Sequence, residues 1–242
     1  MNYKVTLAYD GSKFHGWAIQ PNVVTVQQTI INALNKILKE EVKIVGAGRT
    51  DAYVHAINQV FSFKTKQDLI NMDFKKAMND QLPNSIRIKS IQVVDDKFNA
   101  QHYALNKTYK YVIKTGSYDL FNNDYLYNYN KKINVSLLRK VSKVLLGKHD
   151  FLSFSTSELK DTIRAINSIT FTKNKDLLII RINGNGFLRN QVRMIVGSLL
   201  DINENKKDIN SLRALLSNPK KGSCIRKAPG CGLYLEKINC KW

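Results

Sequence analysis

No apolar run in the chain approaches the roughly 20 residues that cross a bilayer, and the opening MNYKVTLAYDG lacks the apolar segment of a secretory leader. A soluble, cytoplasmic protein with no membrane partner is the expectation. Cysteine is scarce: Cys224, Cys231 and Cys240 are three in 242 residues. An odd number without close pairs argues against a disulfide framework, and their spacing matches no zinc site. The four histidines are scattered, so reduced structural cysteines and no metal are expected. No P-loop or dinucleotide fingerprint occurs, and no cofactor is expected. Acidic residues are also short, 19 against 38 Lys plus Arg, a net charge of +19. An Asn-, Ile- and Lys-heavy usage of the kind an AT-rich genome imposes accounts for a share of the lysines. The remaining imbalance points to a polyanionic partner, because each neutralised phosphate releases condensed counterions. No basic run exceeds a few residues, so any positive surface has to be assembled by folding.

What is present suffices for a core, at 43% hydrophobic. Tyr3, Val5, Leu7 and Tyr9 alternate as in a half-buried strand that ends at Asp10-Gly11. Thr25 with Gln28 has the spacing of a capping box. Val26, Ile30, Ala33, Leu34, Ile37 and Leu38 then predict an amphipathic helix over 26–39. Short strands follow at 42–45 and 59–63, a helix over 68–80 and a strand over 86–94. A second unit begins near residue 106. Tyr109, Tyr111 and Ile113 share one face of a strand, and 115–134 is an irregular, Asn- and Tyr-rich connection. Ser136 starts a helix running to Leu146 that stops at Gly147. Strands at 166–172 and 177–183 precede a helical stripe of Leu188, Val192, Ile195, Val196 and Leu199. A helix over 208–217 and a strand over 232–238 close the chain. Strands close in sequence favour antiparallel pairing. The fold class is therefore α+β, a mixed and mainly antiparallel sheet flanked by helices, in units 1–105 and 106–242.

The densest polar signal is Gly46-Ala47-Gly48-Arg49-Thr50-Asp51-Ala52-Tyr53-Val54-His55-Ala56, a loop between two strands. Its glycines free the backbone for tight turns, and loops on rigid scaffolds carry catalytic groups. The plainer reading is a polar turn with a local Arg49–Asp51 pair.

GRTDAYVHA closely resembles the GRTDAGVHA segment of the tRNA pseudouridine synthase A family. The resemblance extends over nearly the whole chain. Tyr9 to Trp17 is similar to the family's YDGxxFxGW, and Thr25-Val26-Gln27 to its TVQ. Leu82-Pro83 with Ile86 resembles LPxDI, and Lys107 to Tyr111 resembles RxYxY. Gly147 to Phe151, with Ser153 and Phe154, resembles GxHDFxSF. Gly184 to Gly197 resembles GNGFLxxxVRxIVG, and Ala228-Pro229 with Gly232-Leu233 echoes APxxGL.

The resemblance implies the pseudouridine synthase fold and a reaction that detaches uracil from ribose, rotates it and reattaches it through carbon. It implies Asp51 as the catalytic nucleophile, in the ionised form that a nearby opposite charge favours. Arg193 is implied as that charge. Tyr109 would stack on a flipped uracil, and Arg49 would fill the space the base leaves or hold its phosphate. Leu233 would line the uracil pocket. It further implies a homodimer acting on uridines 38 to 40 of the tRNA anticodon stem-loop. Without the family, Tyr109 is a strand-face tyrosine, Leu233 a core leucine, Arg193 a solvated helix arginine and His55 structural. Arg189, one helical turn before Arg193, would share its face and be solvated. The sequence departs from the family's pattern at Tyr53, where glycine is usual, at Ala18, at Gln101 and at Arg226-Lys227. The competing functional class is a non-catalytic basic RNA-binding protein, which does not need Asp51, Tyr109 and Arg193 together. A metal-dependent nuclease would need several clustered carboxylates, and only Asp51 is in the loop.

Overall fold

The computed structural model describes residues 1–69, 73–156, 158 and 160–241. The chain forms two compact units, Met1–Leu105 with the strand from Tyr234 onward, and Asn106–Leu233.

In the first unit β1 (Asn2–Tyr9) runs antiparallel to β3 (His55–Lys64) on one side and to β4 (Ile86–Val94) on the other. β2 (Ile44–Gly46) is antiparallel to β3, and β10 (Leu233–Cys240) is parallel to it through Tyr234 and Leu235. The alternation of β1 sends Tyr3, Val5, Leu7 and Tyr9 inward. Opposite them on β3 lie Phe63 and Phe61, and the Tyr3 and Phe63 rings stack at 5.5 Å. Two helices, α1 (Val26–Leu38) and α2 (Phe74–Gln81), bury Ile30, Leu34, Phe74 and Met78. The helix predicted over 68–80 therefore begins at Phe74 in the described residues; its positions 70–72 lie outside them.

The capping box does not form. Thr25 is the residue before α1, but its side chain makes no capping bond, and Gln28 bonds Asn32 instead. Main-chain carbonyls satisfy the first two helical donors instead. Val26 N–H donates to the Gly16 carbonyl at 3.1 Å and Gln27 N–H to the Trp17 carbonyl at 3.0 Å.

In the second unit β5 (Ala104–Lys114) pairs antiparallel with β9 (Leu177–Gly184). β9 forms a hairpin with β8 (Ile163–Asn174), and β8 pairs with β7 (Gly147–Asp150). The two-residue β6 (Tyr127–Asn128) lies parallel to the end of β5, inside the stretch expected to be irregular. Tyr109, Tyr111 and Ile113 face the core as the alternation predicts. The helix expected from Ser136 starts at Val135 instead, because Asn134 is the better cap and accepts the Leu137 N–H at 3.0 Å. This helix, α3 (Val135–Val141), tightens into a 3-10 turn before Gly147. The long buried helix α4 (Gln191–Asn203) and the short α5 (Ile209–Ser217) complete the unit.

The strands are mixed and mainly antiparallel, as expected. The expected second unit, 106–242, ends earlier, because parallel pairing with β3 draws the last strand into the first unit. Among the described residues no helix is long and apolar enough to cross a membrane.

Candidate active site

The loop from Ala47 to Val54 is held from below by backbone. Trp17 N–H donates to the Thr50 carbonyl at 3.0 Å, and Tyr53 N–H approaches the Phe14 carbonyl at 3.4 Å. Val54 N–H closes a turn onto the Asp51 carbonyl at 3.2 Å. This closeness explains Gly16, whose φ is +95°. A Cβ there would sit 2.7 Å from the Thr50 carbonyl oxygen and 3.1 Å from the Asp51 carbonyl carbon. Beneath the loop the Tyr9 hydroxyl and Thr50 Oγ1 are 2.7 Å apart, and Gln59 Nε2 donates to the Gly48 carbonyl at 2.9 Å. Burial pushes the Tyr9 hydroxyl well above its usual range, so it stays protonated. Asp51 is thereby presented half-exposed on a loop whose flanking residues are held by main-chain bonds.

Arg49 lies on the same loop and is exposed, and its side chain has no partner among the described residues. The local Arg49–Asp51 pair of the plainer reading does not form. His55 is buried against Tyr234, with ring centroids 4.6 Å apart. Its Nδ1 accepts the Gly11 N–H at 3.0 Å. Asp10 Oδ1 lies 3.3 Å from the same nitrogen. The ring is thus buried and bonded to the main chain beside the loop.

In the second unit Arg193 is half-exposed on the first turn of α4. Its Nε donates to the Ala228 carbonyl at 2.8 Å and its guanidinium to Asn190 Oδ1 at 3.2 Å, while Ala228 N–H donates back to the Arg193 carbonyl at 3.1 Å. Arg189 does not share this helix. Asn190 takes a left-handed φ of 65° and α4 begins after it, so Arg189 lies outside the helix and is exposed. The expectation of a shared face fails because helical spacing was extended one turn too far.

Tyr109 is buried on β5, edge-on to Phe187 at 5.3 Å. Two residues on and on the same face, Tyr111 donates its hydroxyl to the Pro229 carbonyl at 2.8 Å. Gly232 packs so tightly on this strand that a Cβ would lie 2.8 Å from the Val112 carbonyl oxygen. Leu233 follows, buried. The second unit thus ties Arg193 and the strand bearing Tyr109 to one segment, 228–233. Tyr111 and Ala228 make that tie, and sequence reasoning had not assigned them this role. The available signal was the alternation of Tyr109 with Tyr111. Burial above all holds the Tyr111 hydroxyl far above its usual range, which keeps it a donor.

Arg226, one of the departures from the family pattern, anchors the start of this segment. Its guanidinium reaches Asp201 Oδ1 and Glu204 Oε1, both at 3.0 Å. Lys131 and Lys206 also bind Glu204, at 3.2 and 2.7 Å, and Tyr129 donates its hydroxyl to it at 2.8 Å. Among the described residues no group of three or more His, Cys, Asp or Glu is placed to hold a metal ion.

A family model described as tRNA pseudouridine synthase matches residues 6–102 and 141–239. These stretches include Arg49, Asp51, Arg193 and Leu233; Tyr109 falls between them. Curated proteins named tRNA pseudouridine synthase A are similar over nearly the whole chain. The one from Ureaplasma urealyticum is 45% identical, covering 98% of this chain and 99% of its own. That from Malacoplasma penetrans is 44% identical with the same coverage. That from Limosilactobacillus reuteri is 39% identical, covering 98% and 96%. Among solved structures the chain is similar to a crystal structure of the archaeal box H/ACA sRNP Nop10–Cbf5 complex. There the TM-score is 0.36 at 11% identity, covering 82% of this chain and 43% of that one.

Proposed function

This chain belongs to the tRNA pseudouridine synthase family, and we propose on that premise that it isomerises uridine to pseudouridine in tRNA, with Asp51 as nucleophile. The observation that carries the reading is the extent of the match. It spans both units and includes Asp51 on its clamped loop and Arg193 on α4. The net reaction breaks the N1–C1′ bond of uridine, joins C1′ to C5 of the rotated base and moves one proton from C5 to N1. Atoms and electrons balance without an external reagent. Asp51 supplies the carboxylate that starts bond cleavage. Arg193, its guanidinium pre-aimed by Ala228 and Asn190, supplies the opposite charge. Tyr109 supplies a ring on which the extruded base stacks. Arg49, exposed and unpartnered among the described residues, enters the space the base vacates or binds its phosphate. Leu233 lines the pocket for the uracil. The substrate region we propose is the anticodon stem-loop and the acting form a cytoplasmic homodimer, both resting on family resemblance alone.

The test is incubation of the protein with unmodified tRNA, followed by site-by-site mapping of pseudouridine. Asp51→Asn keeps the shape of the side chain and removes its charge. It should lower turnover by roughly a thousand-fold or more while tRNA binding persists, because affinity comes from many phosphate contacts. Binding without any pseudouridine from the native chain would establish the non-catalytic alternative instead.

A further inference from the structure

Tyr53 lies two residues after Asp51, and its φ is +64°. This is the left-handed region, where a Cβ crowds the backbone. Of the described non-glycine residues with positive φ, four are asparagines and two are lysines, and Tyr53 alone is aromatic. Asparagine tolerates this conformation through local hydrogen bonds; a bulky ring gains nothing from it. Packing does not explain the residue either. Tyr53 is 54% exposed, and among the described residues its hydroxyl has no hydrogen-bond partner and its ring no aromatic neighbour. The chain thus carries a strained, solvent-facing ring at the edge of its proposed catalytic loop. Strain that neither fold nor packing requires is a mark of a functional position.

The surroundings indicate what the ring meets. The approach of Tyr53 N–H to the Phe14 carbonyl at 3.4 Å brings the 3-10 turn at Gly11–Lys13 and its continuation beside it. That segment exposes Lys13 and His15, and Arg49 is exposed earlier on the loop that carries Tyr53. A flat aromatic surface on a loop that also carries Arg49, beside the turn that carries Lys13, matches an unstacked nucleobase with its phosphates. The loop is already fixed by the Thr50, Asp51 and Val54 backbone bonds, so presenting the ring costs little further ordering on binding. We infer that Tyr53 is a stacking platform for a nucleobase beside the target uridine, with Lys13 and Arg49 engaging the neighbouring phosphates. This inference rests on the proposal that the substrate is RNA.

The experiment measures the affinity of a fluorescein-labelled anticodon stem-loop RNA for the full chain and three variants, with thermal melting in parallel. Tyr53→Phe keeps the ring and should bind within about two-fold of the native chain. Tyr53→Leu keeps the strained Cβ and apolar bulk but loses the flat face. Tyr53→Gly removes both ring and strain. Leu and Gly should each bind roughly five- to twenty-fold more weakly, at the lower end of the effect of one base–aromatic stack. Tyr53→Gly should also melt higher than native, because glycine is relaxed at positive φ. Native-like affinity in the Leu or Gly variant overturns the inference. So does a Phe variant as weak as Gly, which would make the hydroxyl the contact. A Gly variant that melts lower than native overturns it too, since the ring would then be structural. A native chain that forms no pseudouridine would remove the proposed activity, whereas a native chain that forms it, beside a Gly variant that binds equally well, would remove only the role of Tyr53.

Discussion

Asp51 and Arg193 are held in place by opposite means. Asp51 is set by its neighbours' main chain: the Trp17 and Val54 amides, and a close approach that only Gly16 permits. Beneath the loop the Tyr9 hydroxyl meets Thr50 Oγ1 and Gln59 Nε2 meets the Gly48 carbonyl. Arg193 is set by its own guanidinium, which reaches Ala228 and Asn190. The segment that carries Ala228 is in turn anchored at Arg226 by a cluster of charges. The first arrangement is built largely from main-chain bonds. The second depends on ion pairs, so it responds to side-chain chemistry and to pH.

After the loss expected for Asp51→Asn, the largest effect follows from the second arrangement. Arg193→Lys keeps a positive charge but cannot reach the Ala228 carbonyl and Asn190 Oδ1 with the fixed fork of a guanidinium. Losing oriented, charge-assisted bonds of about 1.5–3 kcal/mol each should lower kcat by roughly ten- to a hundred-fold, with RNA affinity changing little. Single-turnover kinetics at saturating enzyme separates the two. Near-native kcat in Arg193→Lys would mean that a charge anywhere near this position suffices, and the contrast with Asp51 would dissolve.

The next effect sharpens the contrast through pH. Bonding to Lys206 first, then to Tyr129, Arg226 and Lys131, holds the Glu204 carboxyl far below its ordinary range. Its side chain is only 9% exposed. A depressed folded-state value means that its stabilisation is complete above the unfolded-state value of about 4.3 and is lost as pH falls below it. Glu204→Gln should therefore destabilise the protein by about 1–3 kcal/mol at neutral pH. Its melting temperature should also fall less steeply than native between about pH 4.5 and 3. The neighbouring Tyr129 hydroxyl is pushed up to about 12, by burial first and then by Glu204, so it remains a donor throughout. Parallel native and Glu204→Gln melting curves across that range would show that the cluster is solvated decoration.

Much of this was legible in the chain. The alternation of Tyr3, Val5, Leu7 and Tyr9, and of Tyr109, Tyr111 and Ile113, gave the strands their inward faces because side-chain period alone sets them. The loop of Asp51 was visible as glycines around a carboxylate. The parallel pairing of Tyr234 with His55 was not visible, because periodicity is silent on which distant strand is the neighbour. The start of α4 was misplaced for a different reason. Leu188 fits the apolar stripe, but Asn190 turns left-handed before the helix begins, and hydrophobic spacing does not register one residue's φ. The tie through Tyr111 and Ala228 was hidden because its acceptors are main-chain carbonyls, which every residue carries.

The smallest effect concerns the backbone-held unit. Thr25 and Gln28 have the capping-box spacing, which predicts that removing the Thr25 hydroxyl costs about 1 kcal/mol. The structure reverses the sign. Gly16 and Trp17 already accept the Val26 and Gln27 amides, and Thr25 Oγ1 is buried without a partner among the described residues. A buried hydroxyl that forms no hydrogen bond is a liability. The residue's φ of −126° and ψ of 154° suit a β-branched side chain. Thr25→Val keeps the shape and replaces the hydroxyl with a methyl group. It should be neutral or stabilising by up to about 1 kcal/mol, a rise in Tm of about 2 to 4 °C, with turnover unchanged. Thermal melting decides it. A drop of several degrees would mean that the side chain does cap α1, and that main-chain bonds from Gly16 and Trp17 do not by themselves secure the helix beneath the Asp51 loop.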